Sequence, residues 1–151
     1  MRKVMFLVAA ALSALLANAV SAQVKPEKVI EYRQSVMTVV GWNFGPMAAM
    51  MKGDKPYDKE TFARGAAIVA YMTPLAIEGF TPGSDKGAET AAKPEIWTKM
   101  DDFKAKMDKL NTETAKLAMI AKTGTFDEIK KQFGATGGAC KSCHDDFRVK
   151  K

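Results

Sequence analysis

The chain of 151 residues is 47% hydrophobic and 26% charged, the balance of an ordinary globular protein, which excludes a disordered one. Its formal net charge of +6 comes without a basic patch interleaved with aromatics. No nucleic-acid surface is therefore expected, and the excess lysine reads as a solvated exterior.

Arg2 and Lys3 form a basic head before the uncharged run Val4 to Leu16, and Val20-Ser21-Ala22 offers a cleavage site ahead of Gln23. This is the layout of a secretory signal peptide, and the run is short for a membrane anchor. Ala17-Asn18-Ala19 is a second site for the cut. Residues 1–22 are expected to be removed on export, leaving one soluble domain, 23–151, without membrane association. Export places the cysteines in an oxidising compartment, where a disulfide is the default.

The first predicted helix runs from Glu27 to Met51, with Val29, Tyr32, Val36, Val40, Phe44 and Met47 at alternating steps of three and four. Pro46 lies near its end and is expected to bend it. "KGDKPYD" (52–58) is a turn, and Asp58 is placed to cap a second helix reaching toward Phe80, with an end made irregular by Pro74 and Gly79. A longer loop, Thr81 to Lys93, is rich in small and turn residues. The third helix opens at Pro94 and carries a seam of Ile96, Met100, Phe103, Met107, Leu110, Thr114, Leu117 and Ala121, ending at Gly124. Met100, Met107 and Met119 are read as core filler. Thr125-Phe126-Asp127-Glu128 has capping-box spacing and starts the fourth helix, whose stripe begins with Phe126, Ile129 and Phe133. Glycines 134, 137 and 138 are expected to interrupt it. No segment alternates with period two, so the fold expected is all-α: an up-down antiparallel four-helix bundle with one longer loop.

All the cysteine and histidine of the chain lies within five positions, Cys140-Lys141-Ser142-Cys143-His144. On a helix, residues three and four apart share a face, so Cys140 neighbours both Cys143 and His144. Three readings compete. A redox dithiol belongs at a helix start in a βαβ unit, which is not visible here. A structural zinc site wants four ligands, so a carboxylate would have to join these three. Covalent haem needs two thiols for the vinyl groups and a histidine for the iron, and Cys-x-x-Cys-His is its signature. The expectation is one haem per chain, held by Cys140 and Cys143 with His144 as metal ligand; the bland alternative is a surface disulfide. With a single histidine, a sixth ligand within the chain would be a methionine or a lysine. Met37 is the first candidate.

With "YRQSVM" (32–37), "KPEIW" (93–97) and "CKSCHDDFR" (140–148), the chain resembles the cytochrome c prime family, which includes low-spin cytochromes of the c-556 type. The resemblance spans essentially all of 23–151, and the haem motif near the carboxyl end is distinctive. It implies a four-helix bundle pairing as a homodimer through its first two helices, with a five-coordinate iron facing an apolar pocket. It further implies that Arg33 and Gln34 lie against the haem and its propionates, and that Glu89 and Thr90 make a loop contact. Arg148 is implied beside the proximal imidazole, Met37 at the distal position and Phe80 in the pocket lining.

The function expected is that of a periplasmic haem protein, not an enzyme, that binds small gases such as nitric oxide and carbon monoxide. The alternative is a low-spin, His/Met-ligated electron carrier of the c-556 type with its own periplasmic redox partner. Axial ligation and access to the iron decide between them.

Overall fold

A computed structural model describes residues 24–150; the leader expected at 1–22 lies outside the described residues. Helix α1 (Pro26–Lys52) starts with proline in its first turn and Glu27 at its positive end. It closes in a Schellman motif: Gly53 takes φ 85°, its N–H bonds Met50 O, and the Asp54 N–H bonds Ala49 O. Pro46 sits at an exposed position inside α1 without ending it. Tyr32 departs from the expected stripe. It is 37% exposed and donates to Glu78 Oε2 at 2.9 Å, while its neighbour Arg33 is buried instead.

Helix α2 (Lys59–Met72) is capped as expected, with Asp58 accepting from the Thr61 N–H at 2.7 Å. It gives way to a 3-10 segment, Thr73–Gly79, which begins around Pro74. Gly79 is required there by close approach: a Cβ at this position would stand 2.3 Å from Arg33 Cβ. The loop 81–93 carries no helix.

The third predicted helix is in fact two. A single turn, α3 (Glu95–Thr98), is separated from α4 (Met100–Thr123) by Lys99, whose φ −125° and ψ 44° leave the helical region. Ile96 is buried and the Trp97 indole donates to Thr81 O, so tertiary ties orient the first turn independently of the rest. The seam survives the break: Phe103, Met107, Leu110, Thr114, Leu117 and Ala121 are all buried, and Met100 is half-buried. Met119, expected in the core, is 64% exposed, because it falls two residues past Leu117 and off that seam.

Helix α5 (Phe126–Phe147) has the full capping box between Thr125 and Glu128. It runs unbroken through Gly134, Gly137 and Gly138, contrary to expectation. Glycine weakens a helix by about 1 kcal/mol rather than breaking it, and the packing of Ile129, Thr136, Ala139, Cys143 and Phe147 holds this one. Phe126, placed on the stripe, remains 41% exposed at the helix start.

The four long helices alternate in direction. Met47 of α1 meets Gly65 of α2 and Arg33 meets Gly79 at the end of the 3-10 segment, while Phe103 packs on Phe147 and Glu113 bonds Gln132 across α4 and α5. The core divides into two clusters. One gathers Met47, Phe62, Val69, Leu117 and Ile129; the other gathers Val36, Ala76, Ile96, Phe103, Met107, Cys143 and Phe147. Buried polar groups lie between them: the Thr73 and Thr114 hydroxyls are 3.1 Å apart, and Thr136 Oγ1 donates to Glu113 O. Among the described residues, no helix is long and apolar enough to cross a membrane.

Candidate functional site

The last turns of α5 carry the cysteine–histidine motif against the second cluster. Cys143 is buried and Cys140 half-buried, three residues apart on the inner face, and both are free thiols. Burial raises both thiol pKa values, that of Cys143 to about 11 even though Lys106 opposes the rise. Neutral thiols in apolar surroundings are the opposite of an activated redox thiolate. Among the described residues, no three His, Cys, Asp or Glu side chains gather as a metal-binding group, so the zinc reading lacks its fourth ligand.

His144 is exposed, one turn beyond Cys140. It lines an open concavity of about 370 Å³ with Asp145, Arg148, Val149 and Lys150. Partial burial of the ring lowers its pKa and the nearby Arg148 charge adds to this, with Asp145 opposing. A neutral imidazole is the form that binds a metal. Arg148 thus shares a surface with His144.

The other implied residues converge from α1 and the loop. Arg33 is 3% exposed, yet no carboxylate lies within ion-pair distance of it among the described residues. Its Nη1 donates to Gly79 O at 2.8 Å and to Ser84 O at 2.9 Å, and its Nη2 to Thr90 Oγ1 at 3.1 Å. The guanidinium carbon lies 4.9 Å from the Phe80 ring centroid and 5.4 Å from that of Trp97. Burial lowers the pKa of Arg33, and the Asp85 charge partly offsets this; a guanidinium remains charged regardless. Gln34 donates to the backbone O of Glu89 at 2.9 Å, so Glu89 takes part through its carbonyl and not its carboxylate. Met37 and Phe80 are half-buried against the apolar cluster, and Phe80 packs 4.6 Å from the Phe103 ring.

Three contributors had no role assigned from the sequence. Trp97 was quoted only as part of "KPEIW", Ser84 is fully buried in a loop of small residues, and Lys93 touches the end of α5. A large aromatic beside the seam residue Ile96 could have flagged Trp97; nothing local distinguishes Ser84.

This donor set suits a haem. Two unpaired neutral thiols border an apolar cluster able to cover a flat macrocycle, a histidine stands one position past the second thiol, and a buried cation without a carboxylate partner could face an anionic edge. Fold and motif together define a four-helix-bundle class of c-type haem protein.

The comparisons with known proteins narrow that class. The family model described as Cytochrome C' matches residues 28–148. Cytochrome c' of Rubrivivax gelatinosus is 45% identical over 126 residues, covering 83% of this chain and 98% of the relative. The structure of cytochrome c prime from Shewanella frigidimarina superposes with a TM-score of 0.81 at 41% identity, covering 84% of this chain and 98% of the other. A nitric oxide complex of a variant of cytochrome c prime from Alcaligenes xylosoxidans gives a TM-score of 0.77 at 35% identity, covering 85% of this chain and 98% of the other. The chain belongs to the cytochrome c prime family.

Proposed function

We propose that this protein is a periplasmic, non-enzymatic c-type cytochrome that binds small gases, chiefly nitric oxide, with carbon monoxide as a probe. The observation that carries this reading is the apolar character of the side chains beside the thiols. Met37 and Phe80 pack against the cluster that contains Cys143, and the chain has no second histidine to serve as a ligand or acid–base group. The relative with bound nitric oxide supports the same ligand class.

Cys140 and Cys143 would hold one haem c through thioether bonds, and His144 would be its proximal ligand. Arg33 would place positive charge toward the propionates, with Gln34, Glu89 and Thr90 fixing the loop around it. Arg148 would lie beside the imidazole. The haem would supply the iron at which a gas is bound. Met37 and Phe80 would restrict entry to it and offer no hydrogen-bond donor for dioxygen. Export follows from the leader expected at 1–22. Pairing as a homodimer through α1 and α2 is supported by Trp42 and Tyr71, which are 81% and 74% exposed on those helices.

The low-spin electron-carrier reading rests on Met37, whose thioether packs at the same cluster. Optical spectra of the oxidised and reduced protein, before and after carbon monoxide, decide between them. A high-spin reduced spectrum that shifts with the gas is expected. A low-spin spectrum unmoved by the gas would overturn the proposal in favour of the carrier. Met37→Ala sharpens the outcome: faster carbon monoxide binding with an unchanged resting spectrum is expected, whereas loss of a low-spin spectrum would mean that Met37 binds iron.

A further inference from the structure

The last turn of a helix holds its side chains least firmly, because its final carbonyls have no partner further along the chain. His144 stands three residues before the end of α5 at Phe147. The inner side of that turn is fixed by packing, since Cys143 and Phe147 are buried. Its outer side, with His144 and Asp145, is exposed and has no such hold.

What holds the outer side comes from the loop. The Lys93 backbone N–H donates to Phe147 O at 3.0 Å, and its ammonium donates to Asp146 O at 2.9 Å and Asp145 O at 3.4 Å. The Val149 N–H donates to Ala91 O at 2.9 Å, and Ala92 and Arg148 form an isolated antiparallel bridge. The carboxylates of Asp145 and Asp146 are taken by Lys141 and Lys106, so Lys93 addresses the helix end itself. An ammonium there also meets the negative end of the helix dipole. One and two residues upstream of Ala91, Thr90 and Glu89 tie the same segment to α1 through Arg33 and Gln34.

We propose that residues 89–93 form a strap that fixes the turn carrying His144, and that Lys93 is its positioning residue. This rests on the reading of His144 as the iron ligand. The strap links the side of the site held by Arg33 to the side held by the histidine, and sets where the imidazole stands relative to Cys140 and Cys143.

Lys93→Met keeps the aliphatic stem and removes the ammonium donors. In the holoprotein, amide exchange at Phe147 to Val149 should rise about tenfold, the size of one charge-assisted hydrogen bond, with Ile129 to Thr136 unchanged. The iron–histidine stretching band of the reduced protein should broaden or fall in frequency, and Lys93→Arg should restore both. Val149→Pro, which deletes the bond to Ala91 O, should raise exchange at Phe147 and Arg148 in the same way. Wild-type exchange in both variants would overturn the strap. Faster exchange with an unaltered histidine band would overturn the positioning role. Absence of covalent haem from the wild-type protein would instead sink the functional reading, and the exchange comparison, made on the protein as isolated, would still decide the strap.

Discussion

At one end of the bundle Met47, Phe62, Ala66, Val69, Leu117, Ala121 and Ile129 are each at most 1% exposed; in the cluster at the other end, only Ala76 is. The first end is closed by protein alone. Phe44 stacks on Phe133 at 4.4 Å, Phe62 tilts against the same ring, and the short link from α4 to α5 is locked by its capping box. The second end mixes apolar side chains with two free thiols, a buried guanidinium and a loop that wraps the end of α5. A helix bundle can thus hold its stability in one half and leave the other half to be shaped around a ligand. Hydrophobic packing is strong where it is complete, whereas a site needs polar groups whose burial must be compensated bond by bond.

Three perturbations test that division, taken from the largest expected effect. Phe62→Ala removes a fully buried ring from the closed end and should cost about 3–5 kcal/mol in denaturant unfolding. The haem spectrum of the folded fraction should not change; a changed spectrum would mean that the halves are not separable. Gly79→Ala acts at the other end. Its methyl would press on Arg33, forcing α1 and the 3-10 segment apart, with an expected loss of about 1–3 kcal/mol. Here the spectrum and the gas-binding rate should move with stability, and a silent variant would detach Arg33 from the site.

The smallest effect concerns the polar layer between the halves. Glu113 on α4 accepts from Lys109 and Gln132, and these bonds, with the Lys109 and Lys116 charges, hold its carboxyl below the ordinary value of 4.5. A carboxyl lowered in the folded state stabilises above its unfolded pKa and loses that contribution as pH falls through the folded value. Glu113→Gln should therefore be less stable than wild type near neutrality, with the gap closing as the pH drops below about 4.5. A gap independent of pH would show that the carboxylate's charge contributes nothing.

The closed end was legible in its caps, and the seam of α4 was legible along both ends. The Asp58 cap, the Thr125–Glu128 box and the seam from Phe103 to Ala121 are local signals, and each stands where the pattern put it. The cysteine–histidine motif was equally legible, since two thiols three apart on a helix must share a face. The corrections have a common cause: Lys99 breaks a helix without disturbing its seam, and three glycines fail to break one that packing holds. Tyr32, placed on the apolar stripe by its spacing, stands exposed, because a tertiary bond to Glu78 holds it outside while Arg33 is buried.

The sequence by itself determined where the four long helices lie, the Asp58 and Thr125–Glu128 caps and the thiol-and-histidine constellation, because these depend on residues within a turn or two of each other. Only the tertiary structure decided that Arg33 is buried over Phe80 and Trp97, that Ser84 and Thr90 receive it, and that Lys93 reaches the end of α5. Those contacts join residues some fifty positions apart through a loop without periodicity, and their energy comes from satisfying buried polar groups.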